Sequence, residues 1–124
     1  PQIALLLQDP RGKVQGRAAR ALSELQAKEF TLDIASLLRN ADEDVRRDAA
    51  WALGNLQAKE FAQDIAILLW DAYSYAEYPT TVAKALHSMT AGACPEDPEG
   101  ARAWWAAHKD DPEFRKTPPL DSQP

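Results

Sequence analysis

The 31 residues from Ile3 to Asp33 recur, without a gap, as Ile34 to Asp64. Sixteen of the 31 aligned positions are identical: Ile3/Ile34, Ala4/Ala35, Leu6/Leu37, Leu7/Leu38, Val14/Val45, Ala18/Ala49, Ala19/Ala50, Ala21/Ala52, Leu22/Leu53, the run Leu25–Phe30 against Leu56–Phe61, and Asp33/Asp64. A third, diverged copy opens at Ile65-Ala66-Ile67-Leu68-Leu69. A fixed period of a few tens of residues means a stack of supersecondary units, and it makes binding the default function.

Each copy reads as two helices. Phe30, Ile34, Leu37 and Leu38 fall at i, i+4, i+7 and i+8, one face of a 3.6-residue helix. Val45, Ala49, Ala52, Leu53 and Leu56 form a second such stripe. Between them, Asn40 or Asp42 can cap the second helix, with an acidic cluster at its positive end. In the first copy Asp9-Pro10-Arg11-Gly12 supplies the turn. Neither helix can hide its apolar face alone, so stacking must bury the stripes in one continuous core.

The second helix of the second copy carries Val45-Arg46, Ala49-Ala50, Ala52-Leu53-Gly54 and Leu56. This resembles the HEAT repeat, and more narrowly the 31-residue HEAT-like type named after phycobilisome lyases. The first copy matches less closely, with Gln15 for the usual Arg and Ser23 for the usual Gly. The resemblance spans about Ile3 to Thr90 and implies an all-α solenoid of helical hairpins. It says little about function, because one scaffold carries many jobs. The pairs Ala18-Ala19 and Ala49-Ala50 let neighbouring helices approach closely.

In the third copy, aligning Ala85-Leu86 with Ala52-Leu53 requires two extra residues within Trp70–Thr81. This stretch holds Tyr73, Tyr75 and Tyr78, all the tyrosines of the chain. It reads either as an irregular turn of an end repeat or as an aromatic loop at the edge of a binding groove. Pro79 is expected in the first turn of the helix that follows.

After Thr90, Gly92-Ala93-Cys94-Pro95 breaks the helix, and Asp97-Pro98-Glu99 starts another with an N-cap, a proline and an acid. Trp104 and Trp105 lie about 100° apart around it. One is expected to seal the stack and the other to lie under the tail. Such an ending, an Asp-Pro start followed by a Trp-Trp pair, is similar to that of bacterial HEAT-like proteins. The tail from Asp110 carries Pro112, Pro118, Pro119 and Pro124 and is mostly polar, with no core of its own expected. Asp111-Pro112-Glu113-Phe114 can form one more turn with Phe114 docking back. The expected organisation is repeats 3–33, 34–64 and 65–90 within residues 1–90, a cap helix over 91–109, and a tail over 110–124.

The formal net charge of −5 argues against a nucleic-acid partner, which needs a basic face. No apolar run is long enough for a bilayer. Pro1 is not a natural start and the chain opens inside a repeat, so upstream residues are expected to be missing. With no signal peptide in the sequence the compartment stays open, the cytoplasm favoured. The search for chemistry is nearly empty. His87 and His108 lie on separate helices, Cys94 has no metal-ligand spacing around it, and there is no phosphate loop or nucleophile elbow. No cofactor or catalytic residue is assigned. The His-Glu pairs of HEAT-repeat iron hydroxylases and the basic groove of HEAT-like glycosylases are both missing.

What remains is the surface. In HEAT-type stacks the second helices line the inner, concave face. Their free positions form columns across the copies: Arg20–Trp51–Lys84 and, beside it, Glu24–Asn55–Ser88. A tryptophan at an outward position between two cations is either an anchor for a partner or a self-satisfied cation–π cluster. The resulting expectation is an all-α solenoid of two and a half to three HEAT-like repeats with a C-terminal cap helix. It would bind a protein or peptide, with an acidic segment favoured, through Arg20, Trp51 and Lys84, with Arg47 and Asn55 at the edge. The alternatives are an accessory component of a bilin lyase-like enzyme, as the repeat subtype implies, or a structural fragment of a longer array. The apolar first helix, with Ile3 and Leu6-Leu7, further suggests weak self-association through the N-terminal end.

Overall fold

The computed structural model describes residues 2–40, 42–70 and 77–114. Among these there are seven α-helices and no strand: α1 (Gln2–Leu5), α2 (Gly12–Glu24), α3 (Thr31–Ser36), α4 (Glu43–Asn55), α5 (Ala62–Ala66), α6 (Glu77–Met89) and α7 (Pro98–His108). The first arm of each repeat is short and runs on into a 3-10 turn, Leu6–Gln8, Leu37–Arg39 and Ile67–Trp70. The second arms α2, α4 and α6 have 13 residues each and pack side by side in that order.

The stripes read from the sequence form the core. Ile34, Leu37, Leu38, Val45, Ala49, Ala52, Leu53 and Leu56 are all buried. In α6 the buried residues Val82, Ala83, Ala85, Leu86 and Met89 match Ala49, Ala50, Ala52, Leu53 and Leu56 with two extra residues in between, as the alignment requires. Gly54 lets α4 and α6 touch. A Cβ there would stand 2.8 Å from Ala85 Cα.

Caps set the helix starts. Asp42, not Asn40, caps α4, its carboxylate accepting from the Asp44 N–H at 2.8 Å, while Asn40 accepts from the Asp42 N–H. Asp97 caps α7 through the Gly100 N–H at 2.7 Å. Pro79 stands in the first turn of α6, where its missing N–H costs nothing. The helix ends repeat one device. The Ala27 N–H reaches the Leu22 carbonyl and Gln26 that of Ser23; Ala58 reaches Leu53 and Gln57 reaches Gly54; Gly92 reaches His87 and Ala91 reaches Ser88. These are three Schellman motifs, each with a left-handed residue: Gln26 (φ 55°), Gln57 (φ 58°) and Ala91 (φ 55°). The identical segments Gln26–Phe30 and Gln57–Phe61 therefore share a backbone course as well as a packing role.

Aromatic side chains cluster between α7 and the turn that follows it. Trp105 and Phe114 are buried and their ring centres lie 5.2 Å apart. Trp104 is half-buried, stacked on His108 at 4.2 Å and edge-on to Phe114. Arg102 donates from Nε to the Leu69 carbonyl at 2.7 Å, tying α7 to the third repeat. Lys59 reaches Glu113 across 3.5 Å. Cys94 is buried, its backbone N–H donating to Thr90 Oγ1 at 3.0 Å.

Candidate functional site

The second arms bring four of the five expected contact residues into one depression. Arg20 of α2, Trp51 and Asn55 of α4, and Lys84 of α6 line a pocket of about 320 Å³, completed by Thr81, Ala85 and Ser88. The arrangement follows from the repeat. Residues at one position of successive 31- or 33-residue units stand side by side when the helices stack in register.

Trp51 is half-buried and rests against the core. Its outward position on α4 is thus partly covered by the core's edge. The Arg20 guanidinium carbon stands 4.6 Å from the Trp51 ring centre. Its Nε donates to Asp48 at 2.6 Å, with the Asp48 side chain only 15% exposed. Arg20 is thus balanced by a carboxylate. Lys84 is exposed and, among the described residues, makes no ion pair or hydrogen bond. The two cations expected beside Trp51 are therefore unequal: one is a clamp, the other is free.

Asn55 donates to Ser23 Oγ at 3.4 Å, and Ser88 Oγ donates to the Gly54 carbonyl at 3.3 Å. Gln57 ties the lower rim by donating to the Ser88 carbonyl at 2.7 Å. Arg47 is not part of the pocket. Its guanidinium turns back one helical turn to Asp44, 3.3 Å away. Tyr73 and Tyr75 lie outside the described residues, as does the Tyr78 side chain.

Two features escaped the sequence reading. The pairing of Asp48 with Arg20 is the first, although a separation of 28, one 31-residue repeat less one turn, places the two side by side. The second is a larger groove of about 540 Å³ between α3 and α5, lined by Leu32, Leu38, Phe61, Ile67 and Leu68, with Asp33, Asp64 and Arg39 among its polar residues. Volume alone favours that groove. The inner pocket instead places a tryptophan beside a lysine that, among the described residues, has no partner.

Stacked helical hairpins with small-residue contacts between their second arms define an α-solenoid scaffold. The chain belongs to the HEAT repeat family, whose repeats match residues 1–90. The match is to HEAT repeats in general and does not reach the phycobilisome-lyase subtype. Such repeats generally mediate protein interactions. No curated protein matches the chain. Among the described residues, no helix is long and apolar enough to cross a membrane.

Proposed function

We propose that this chain is a non-catalytic binding module that holds an acidic protein or peptide segment in the Trp51 pocket. The observation that carries this reading is the pairing of a half-buried Trp51 with the free ammonium of Lys84 in one depression. An apolar side chain of the ligand covers the indole, and a carboxylate meets Lys84. Arg20, already paired with Asp48, holds the indole in place and adds little net charge. Complementary charge of this kind contributes specificity and association rate, while the aromatic anchor contributes most of the affinity.

Panning a random peptide display library against the purified chain tests this. Enriched peptides should carry Asp or Glu. Each should bind Trp51→Ala about 30-fold more weakly, equivalent to about 2 kcal/mol. Peptides without acidic residues, or peptides that bind the variant as tightly as the wild type, overturn the reading.

A further inference from the structure

Two residues of the first arms are apolar where the repeat does not require it. Leu32 is 73% exposed and Ile67 is 59% exposed. By the 31-residue register, Gln63 takes the place of Leu32 in the third copy, and Ser36 takes the place of Ile67 in the second. A polar residue at either position is therefore compatible with stacking. Yet both apolar side chains line one groove, the outer one between α3 and α5, together with Leu38, Phe61 and Leu68. Both walls lie inside the stack, with α1 and α2 before them and α6 and α7 after.

The shape of the groove selects the kind of segment it takes. Leu32, Ala35 and Arg39 fall at i, i+3 and i+7 on one wall, and Phe61, Asp64 and Leu68 repeat that spacing on the other. Such walls form a trough that accepts the i, i+3, i+7 ridge of a third helix. An extended segment fits poorly. Its main-chain N–H and C=O groups would face apolar side chains and helices whose own main chain is already paired. A second copy of the chain offers no ridge here, since two troughs meeting about a two-fold axis cannot fill one another.

The charges set the ends. Asp33 lies in the first turn of α3, and Arg39 ends the 3-10 turn that follows it, roughly 10 Å further along. Both are exposed, and among the described residues neither side chain has a partner. An acid at one end, a base at the other and apolar side chains between them call for the opposite charges on the ligand.

We infer that the outer groove binds an exposed amphipathic helix of another protein. That helix carries apolar side chains at i, i+3 and i+7, a Lys or Arg at the Asp33 end, and an Asp or Glu at the Arg39 end. Isolated helices shorter than about 12–15 residues are marginal in water, so short linear peptides do not fill this groove, and the ligand helix is held by its own protein. The site is separate from the Trp51 pocket on the second arms and takes a different ligand.

Fluorescence anisotropy of the full chain with a labelled, lactam-bridged helix of about 15 residues tests this. The probe carries Leu at i, i+3 and i+7, flanked by an Arg and a Glu roughly 10 Å apart along its axis. Binding should saturate below about 1 mM. Leu32→Glu and Ile67→Glu should each abolish it, and Trp51→Ala should leave it unchanged. Asp33→Lys should weaken it about fivefold, and exchanging the probe's Arg for Glu should restore the affinity for that variant. No saturation, binding indifferent to Leu32→Glu, or no rescue of Asp33→Lys would overturn the inference. So would a dimer of the chain that Ile67→Glu dissociates, which would give the groove to a second copy. Binding that appears only after residues 115–124 are deleted would give it to the chain's own C-terminal segment, and would overturn the inference too.

Discussion

Arg20 and Trp51, from adjacent repeats, are joined at 4.6 Å between the guanidinium carbon and the ring centre. The contact links the stacking of α2 on α4 to the floor of the inner pocket. The same residue that helps hold the two repeats together also fixes the orientation of the indole.

Trp51→Ala should keep the helical content but lower stability by about 1–2 kcal/mol, less than a fully buried Trp loses, because the side chain covers only the core's edge. Urea unfolding followed by circular dichroism reads this. A loss above about 4 kcal/mol would make Trp51 a core residue, at odds with its half-exposed position.

Arg20→Ala should weaken peptide binding less than Lys84→Ala does. Arg20 acts through the indole and is neutralised by Asp48, whereas Lys84 is free to meet a carboxylate. Titration calorimetry with a library-selected peptide separates the two. A larger loss at Arg20 would show that the Asp48 pair opens to the ligand.

Gln26→Gly should stabilise the chain by no more than about 0.5 kcal/mol, since glycine adopts a left-handed C′ position without strain but the 3.2 Å bond from Gln26 Nε2 to the Ser23 carbonyl is lost. Gln57→Gly should gain little or nothing, because it deletes the 2.7 Å hydrogen bond to Ser88, worth about 1 kcal/mol. Denaturant midpoints in the reverse order would contradict this account of the two turns.

Gly54→Ala should destabilise by about 1–2 kcal/mol. Overpacking against the Ala85 backbone costs about 1–3 kcal/mol, and the better helix propensity of alanine offsets up to about 1. An unchanged or raised midpoint would mean that α4 and α6 separate without cost.

Burial first, and nearby Asp97 second, push the Cys94 thiol up to about 11 from its ordinary 9.0. The fold thus favours the neutral thiol. This contribution to stability is complete below pH 9 and is lost as pH rises toward 11. At pH 8 a disulfide reagent should label the native chain far more slowly than the chain in guanidinium. Equal rates would contradict the burial of Cys94.

Much of this structure could be read from the repeat. The shift of 31 residues located both arms of each hairpin, and the 3.6-residue stripes named the core of α4 and, with two residues inserted, of α6. The column Arg20–Trp51–Lys84 followed from register alone. Leu25 could not be assigned this way. It is identical to buried Leu56, yet it is exposed, because burial depends on which neighbour is present and not on the residue. Asp48 was hidden because its partner lies in another repeat. The left-handed Gln26 was hidden because glutamine carries no signal for that conformation. The outer groove arises from the gap between α3 and α5, which no single stripe encodes.

The most direct test of the binding face is the indole N–H signal of Trp51 in a nitrogen–proton correlation spectrum, assigned by its loss in Trp51→Phe. On titration with a library-selected acidic peptide, that signal and the Asn55 side-chain amide should shift together and saturate at one equivalent. Shifts confined to Leu32, Ile67 and Leu68, with the Trp51 signal unmoved, would place binding in the outer groove and contradict the account.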